Sequence, residues 1–484
     1  MTQYQYNLVI IGGGTAGLIT ANVAAQAKAK VALIEKHKMG GDCLNTGCVP
    51  SKALLSSAKQ VDFVRRSGEF GIHVENYKID FPKIMEQVHG IIKTIAPIDS
   101  VERYTELGCD CYEAAATILS SHQVQVGEEI LTTDHIVVAT GGTPFIPPIP
   151  GIADLEILHS DNLWDLQELP KRLLVVGSGP IGCELSQAFS RLGSEVTIIS
   201  QDPGILSRED LEVSQLIENA FTQEGIKLRL KTSILQFKAN ANGAGCVHLD
   251  VDGQPEVIEF DRVLIAAGRK ANTAGIGLDQ LGVELNSNGS IKVDSQLRTS
   301  IPHIWACGDA VGPYQFTHMA AHQAGYVALN ILAHPFKRFK VDYSQVPWVT
   351  YVDPEVARCG LNETEAKAQG IPYEVTQFHF SHQDRALTER ANKGFIKVLT
   401  VPRKDTILGV TICGPHGGEL LAEFSLAIKN KLGLKAIMNT IHPYPTFSEA
   451  NKSVALEWRK KYLPKHLLKY AKSYFAWKRH VKVS

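Results

Sequence analysis

Residues 6–36 read YNLVIIGGGTAGLITANVAAQAKAKVALIEK, and this stretch decides the fold. An apolar run ends in a glycine cluster, an alanine-rich segment follows, and a second apolar run closes on Glu35. That is the order of a βαβ unit with its glycines at the first strand–helix turn. Gly12 permits the tight turn, Gly14 lets a pyrophosphate approach the backbone, and Gly17 allows the helix to pack close to the strand. Phosphate would lie over the helix N-terminus, where unpaired N–H groups and the dipole favour anions. Glu35 stands where an acid can bind a ribose 2′-hydroxyl.

The same grammar returns at residues 172–200, RLLVVGSGPIGCELSQAFSRLGSEVTIIS. Gly177, Gly179 and Gly182 take the three glycine roles, so two dinucleotide-binding units are expected. Here the second strand ends in Ser200 instead of an acid, and Arg208 follows a few residues later. An acid would repel a 2′-phosphate, whereas an arginine attracts one. NADPH is therefore expected at this unit, with NADH the alternative. Arg208 also has a plainer reading as a solvated loop arginine.

The rest of the chain arranges itself around these units. At 484 residues it suits about three domains. Residues 135–151, HIVVATGGTPFIPPIPG, end a strand in a Gly- and Pro-rich crossing, and 262–272, RVLIAAGRKAN, close the second unit. IPHIWACGDAVG (301–312) is a further strand and glycine-bearing turn, followed by the helical HMAAHQAGYVALNIL. From about residue 343 the texture becomes that of antiparallel strands followed by helices. The expected class is α/β: two Rossmann-type dinucleotide-binding domains plus a C-terminal α+β domain. The boundaries are 1–150 with 271–342 for the first, 151–270 for the second, and 343–458 for the third. A tail, 459–484, completes the chain.

Formal net charge is -1, which gives the whole molecule no bias toward nucleic acid. No apolar run approaches the roughly 18–20 residues that span a bilayer. The N-terminus lacks the basic, apolar and cleavage segments of a secretory signal. The 9 Cys are scattered, a pattern of a reducing compartment, so the cytoplasm is the expected address. Neutrality is broken in the tail, which carries nine Lys or Arg, no acid, and Tyr462, Tyr470, Tyr474, Phe475 and Trp477. Such a helix lies on an anionic membrane surface, or is merely solvated or docked on its own subunit.

GGDCLNTGCVPSKALL (40–55) carries the chemistry. In a regular helix, the spacing of Cys43 and Cys48 gives about 7.5 Å of rise and the wrong face for a disulfide. An irregular turn at Asn45, Thr46 and Gly47 would bring them together. Pro50 suits the first turn of the helix that follows. Cys48 near that N-terminus, with Lys52 one turn on, favours a reactive thiolate. Two free buried cysteines or half a zinc site are the competing readings. Cys109 and Cys111 lack the spacing to complete a zinc shell. Those two, with Cys183, Cys307, Cys359 and Cys413, read as packing cysteines. His318 and His322 have i, i+4 spacing without an HExxH setting, and Asp384 and Arg385 read as a surface ion pair. No metal site is expected.

Together these segments resemble the class I pyridine nucleotide–disulfide oxidoreductases: dihydrolipoamide dehydrogenase, glutathione reductase, mercuric reductase and relatives. The resemblance covers about residues 5 to 455. It rests most specifically on GDCLNTGCVPSK, and also on VVATGGTP, IAAGRKAN, WACGDAVG and PWVTYVDPEVARCGL. It implies an FAD-dependent homodimer in which residues 1–150 and 271–342 bind FAD, 151–270 bind NAD(P)H, and 343–458 form the dimerisation domain. It further implies that Cys43 is the interchange thiol, Cys48 the thiol against the flavin, and Lys52 the partner of Glu184 near flavin N5. Asp309 would bond the ribityl chain, with Thr140, Gly141 and Gly268 in the cofactor-binding phrases. Electrons would run from NAD(P)H to flavin, to the Cys43–Cys48 disulfide, and on to an acceptor.

One phrase departs from the disulfide reductases. Their HPTxxE carries an acid–base histidine, whereas residues 441–450 read IHPYPTFSEA. Glu449 matches the acid, Tyr444 stands at the histidine, and His442 lies two residues early. Mercuric reductases also have tyrosine there, so a metal ion is the expected acceptor. Against a close match, the chain has no cysteine after Cys413 and lacks an N-terminal metal-binding module. A disulfide, a quinone or another electrophile is the alternative acceptor. A non-catalytic redox sensor or docking protein is the reading from another class.

Overall fold

The turn at Gly12 forms because only glycine fits it. Its φ is 112°, and an added Cβ would lie 2.2 Å from the Ala139 carbonyl oxygen. In the computed structural model, which describes residues 4–240, 244–251, 253–334 and 336–480, the strand Tyr6–Ile11 enters this turn and the helix Thr15–Gln26 leaves it. The next strand, Val31–Glu35, pairs in parallel with the first, Leu8 opposite Val31 and Ile11 opposite Ile34. Residues 481–484 of the tail lie outside the described residues.

The chain divides into two compact units. The first comprises Met1–Ser207 and Phe221–Asp342. Its larger sheet has seven strands, in the order Cys109–Glu113, Val31–Glu35, Tyr6–Ile11, Glu129–Val138, Gln123–Val126, Ala116–Ser120, with Ile304–Ala306 pairing in parallel with Glu129–Val138. Both faces of its central strands are buried. Leu8, Ile10, Leu33 and Val137 pack on one side with the alanines of the first helix, and Val9, Ile11, Ile34 and Val138 pack on the other. That is why these strands read as continuous apolar runs without alternation. The second nucleotide-binding unit has a four-stranded parallel sheet, Lys227–Arg229, Glu195–Ile199, Arg172–Val176 and Arg262–Ile265. A three-stranded antiparallel sheet (233–260) accompanies it.

The second unit comprises Arg208–Ala220 and Tyr343–Ser484. A five-stranded antiparallel sheet runs Pro347–Thr350, Glu355–Gly360, Ile407–Gly414, Phe395–Thr400, Glu374–His379. Ala357, Ile396, Val398 and Ile412 pack with Phe424, Val454 and Trp458 of the helices Gly417–Lys429 and Glu449–Lys461. Between the apolar positions of the strands stand two basic residues, each 1% exposed. Arg358 pairs with Glu209 and Glu365, and Lys397 with Asp210, Glu212 and Glu363. Arg358 and Lys397 both register on Thr411, so the pleat puts them on one face. The acids of residues 209–212 neutralise that face. The expected boundary 151–270 is corrected here: these ion pairs draw Arg208–Ala220 out of the nucleotide unit's sequence and into the C-terminal one.

The tail forms the helix Lys465–His480, with Tyr470, Tyr474, Phe475 and Trp477 all exposed. Among the described residues, no helix is long and apolar enough to cross a membrane.

Candidate active site

The cysteine segment folds as two helices with a break, and the break is what the chemistry needs. A short helix, Gly41–Asn45, stops at Thr46, and a long one, Cys48–Arg66, starts after Gly47. Asn45 fastens the short helix by donating to the carbonyls of Met39 and Gly41, both at 2.9 Å. The indole of Trp164 donates to the Thr46 carbonyl at 2.8 Å. Cys48 is thus the first residue of its helix, where the dipole favours a thiolate. Cys43 and Cys48 are thiols in hydrogen-bond contact. The bond from Cys43 lowers the Cys48 pKa, burial opposes this, and a further bond from Thr317 (3.2 Å) and the charge of Lys52 reinforce it. Cys43 is pushed up by the same bond and by burial.

Lys52, one turn on from Cys48, reaches Glu184 of the helix Pro180–Leu192 at 2.8 Å. Glu184 is nearly buried, at 7% side-chain exposure, so its charge is held by this lysine instead of by water. The pairing joins the two glycine-turn units at the cysteine helix.

The two glycine turns have the same geometry. Cβ atoms on Gly17 and Gly182 would meet the carbonyl oxygens of Gly12 and Gly177 at 1.8 and 2.1 Å, so helix and strand can approach only without a side chain. Gly14 and Gly179, the N-caps, make no side-chain cap bond, and a Cβ there would meet nothing closer than 3.7 Å at Gly14 and nothing within 4 Å at Gly179. Open space over unpaired N–H groups is a fit for a pyrophosphate in each unit. Glu35 accepts from the Gly13 and His37 amides at 2.6 and 2.8 Å, which orients its carboxylate at the strand end. Ser200 is buried, and its hydroxyl bonds that of Ser178 at 2.8 Å, inside the second glycine turn. Arg208 lies in the segment that belongs to the C-terminal unit, where its carbonyl accepts from Asn362 at 2.9 Å.

Thr140 and Gly141 are tied to the other crossing strand. Thr140 Oγ1 donates to the Asn272 carbonyl at 2.6 Å, and Asn272 Nδ2 returns a bond to the Thr140 carbonyl at 3.0 Å. Gly141 and Gly268 both take positive φ, 68° and 123°. Asp309 has its carboxyl pushed up by burial, with Arg269 opposing at 3.7 Å. A half-buried carboxylate beside a guanidinium suits an acceptor for polyol hydroxyls. Arg269 also pairs with Asp42 of the cysteine segment. Thr317, Arg269, Trp164 and Asn272 were absent from the sequence reading. Arg269 and Asn272 flank glycine-phrase positions and had a local signal, whereas Thr317 and Trp164 reach the cysteines from distant elements and had none.

Regions of the chain match two families by sequence: "Pyridine nucleotide-disulphide oxidoreductase" over residues 6–324, and its dimerisation domain over 346–455. This chain belongs to the pyridine nucleotide–disulphide oxidoreductase family. Its cofactors are FAD and NAD(P)H, it is an enzyme, and its dimerisation domain supports a homodimer. It is 38% identical to dihydrolipoyl dehydrogenase of Chlamydia pneumoniae over 454 residues, 93% of this chain and 96% of that one. With mercuric reductase of Staphylococcus aureus it shares 32% over 456 residues, 94% and 83% of the two chains. A solved Cu(II) complex of the HOCl-induced flavoprotein disulfide reductase RclA from Escherichia coli superimposes with a TM-score of 0.83 at 27% identity, covering 94% of this chain and 99% of that one.

In the C-terminal unit of this oxidoreductase, Tyr444 is 70% exposed and donates to Asp384 at 2.9 Å. That bond and the carboxylate's charge raise the phenol's pKa above its ordinary value. Arg385, read as Asp384's neighbour in a surface ion pair, pairs instead with Glu389. Glu449 accepts weakly from the Thr446 amide at 3.4 Å. His442 turns to Glu423, at 3.1 Å, and Asn451 steadies that carboxylate at 2.8 Å. The expected packing cysteines Cys183, Cys307, Cys359 and Cys413 are buried, and His322 is bonded to the Asp342 carbonyl at 3.2 Å.

Proposed function

We propose that this flavoprotein oxidises NADPH and passes the electrons through the Cys43–Cys48 pair to a soft metal ion. The observation that carries the reading is the Tyr444–Asp384 hydrogen bond. A disulfide substrate needs a proton moved to and from its leaving thiol, and a phenol held protonated by a carboxylate is a poor base for that. A metal ion reduced by electrons alone needs no such group. Mercuric and cupric ions are the first candidates, because one named relative reduces mercury and one solved neighbour binds Cu(II).

When bound, FAD supplies the two-electron relay between nicotinamide and sulfur. Gly12, Gly14, Gly17, Glu35, Thr140, Gly141, Gly268 and Asp309 would hold it, and Gly177, Gly179 and Gly182 would hold the nicotinamide cofactor. Lys52 and Glu184 position each other beside the cysteine helix. The disulfide takes two electrons, Cys48 is kept as thiolate, and Cys43 is left to meet the acceptor. For mercuric ion the balance is Hg²⁺ + NADPH → Hg⁰ + NADP⁺ + H⁺. For cupric ion, two Cu²⁺ become two Cu⁺ per NADPH. Ser200, without a charge at the end of the second strand, supports NADPH over NADH.

A disulfide such as lipoamide is the second reading, favoured by the higher identity to dihydrolipoyl dehydrogenase. Steady-state NADPH oxidation by purified homodimer with Hg²⁺, Cu²⁺, lipoamide or glutathione disulfide separates the two. Turnover on the disulfides at rates typical of enzymes, near 10 s⁻¹ at roughly the median, reverses the ranking. The exposed basic aromatic tail is the surface proposed to touch anionic lipid. Unchanged co-sedimentation with anionic liposomes after deletion of residues 460–484 retires that proposal.

A further inference from the structure

Three metal-ligating side chains converge on the large sheet of the first unit, outside the glycine and cysteine motifs. His122 sits in the turn between the strands Ala116–Ser120 and Gln123–Val126, Asp134 on Glu129–Val138, and His303 in the turn before Ile304–Ala306. One ligand atom from each lies within 4.8 Å of the other two.

The cluster is held in place from behind. Nδ1 of His122 donates to the Thr133 carbonyl at 2.9 Å, which fixes the tautomer and leaves Nε2 with its lone pair free. The same ring stacks on Tyr4 at 4.8 Å and stands 4.5 Å from the His303 ring. The His122 carbonyl also accepts from the Thr133 amide, at 3.0 Å. His303 adopts left-handed backbone, φ 69°, a conformation that costs free energy for a residue other than glycine, and its carbonyl is fastened to the Ile136 amide at 2.9 Å. Asp134 is flanked by His303 at 3.8 Å and His135 at 3.7 Å, both too long for hydrogen bonds. His334 stands behind, 6.5 Å from the His135 ring.

A bound ion needs such gaps open: ligands at about 2.0–2.2 Å from one zinc ion lie roughly 3.4 Å apart in a tetrahedron. The His303–Asp134 separation of 3.8 Å is close to that spacing already. His303 is exposed and the other two half-buried, which leaves an entry path and room for water in the fourth position. We propose that His122, Asp134 and His303 bind a divalent transition-metal ion. Two imidazoles and one carboxylate select zinc and its neighbours over magnesium or calcium. The ion would clamp the hairpin turn and the turn before Ile304–Ala306 onto the long strand between them, stabilising the sheet without entering the electron route.

The test uses full-length holoenzyme carrying Cys43→Ser and Cys48→Ser, so that the thiols take no metal, after treatment with EDTA. Zinc is titrated by calorimetry and by thermal melting. The expected result is one zinc equivalent and a rise in Tm, since binding to the native state alone stabilises it. In the same background, His122→Gln with His303→Asn should weaken zinc binding at least about tenfold and abolish the rise. Asparagine is chosen because it tolerates left-handed backbone. Asp134→Asn, tested separately, should weaken binding in the same direction, and equal flavin content in all variants checks their folding. Absence of zinc binding in the parent, or equal affinity in the variants, overturns the proposal.

Discussion

The hydroxyl of Tyr444 donates to the carboxylate of Asp384 at 2.9 Å, so the side chain at the expected acid–base position is itself held protonated. The nearby imidazole does not compensate. His442 is committed to Glu423, and the acid matching the family phrase, Glu449, accepts only weakly from the Thr446 amide.

Replacing the phenol should therefore convert the acceptor preference. Tyr444→His is expected to raise reduction of lipoamide or glutathione disulfide by on the order of 10²-fold, the low end of what a positioned acid–base group contributes. NADPH oxidation with each disulfide measures it. No gain over wild type would remove Tyr444 from the account of specificity.

The cysteine pair should show a thiolate at unusually low pH. A depressed Cys48 pKa means that the thiolate is present above that pKa and disappears only as pH falls through it. Inactivation of the reduced enzyme by iodoacetamide should thus persist below the ordinary thiol range, near about 8.5. Lys52→Met and Thr317→Val should each move the midpoint upward, since each removes a cause of the depression. A wild-type midpoint in the ordinary range would contradict the geometry.

Cofactor choice can be inverted at one position. Ser200→Asp places an acid at the end of the second strand, where it would repel a 2′-phosphate. The KM for NADPH should rise about tenfold or more, equivalent to roughly 1.4 kcal/mol, with the KM for NADH unchanged or lower. Equal effects on both cofactors would mean that Ser200 acts only through the hydroxyl pair with Ser178.

Lys397 supplies a stability test in the C-terminal unit. Lys397→Met leaves Asp210, Glu212 and Glu363 without their shared cation and should destabilise by about 3 kcal/mol or more. The pH dependence follows in sign. Burial pushes the Asp210 carboxyl up, but the bond and charge of Lys397 and the Thr364 and Glu363 amides together outweigh it and hold the pKa below the ordinary value. That carboxyl's stabilising contribution is present above the unfolded carboxylate value, about 3.9, and is lost as pH falls through the folded one. Urea midpoints of wild type and variant should converge in acid.

The two glycine turns and the cysteine pair were legible because each is local. Gly12, Gly14 and Gly17 announce a turn whose steric reasons act within a few residues and one neighbouring strand. The break between Cys43 and Cys48 follows from helix geometry and the residues Asn45 to Gly47. The Lys52–Glu184 pair could be expected only through resemblance, since nothing local joins residues so far apart. Residues 208–220 were misplaced because two basic residues inside strands, Arg358 and Lys397, draw their acids from a remote segment. Thr317, Trp164 and the triplet His122, Asp134 and His303 were illegible for the same reason: each is assembled by the fold from separate stretches.

The most direct test of the electron route is the rate of NADPH oxidation with Hg²⁺ or Cu²⁺ in wild type and in Cys48→Ser, both carrying full FAD. If the sulfurs carry the electrons, the variant should retain its flavin yet lose acceptor-dependent turnover by on the order of 10²-fold or more, comparable with losing one essential catalytic group. Turnover at the wild-type rate in Cys48→Ser would show that the acceptor takes its electrons without the cysteine pair, and the account would fail.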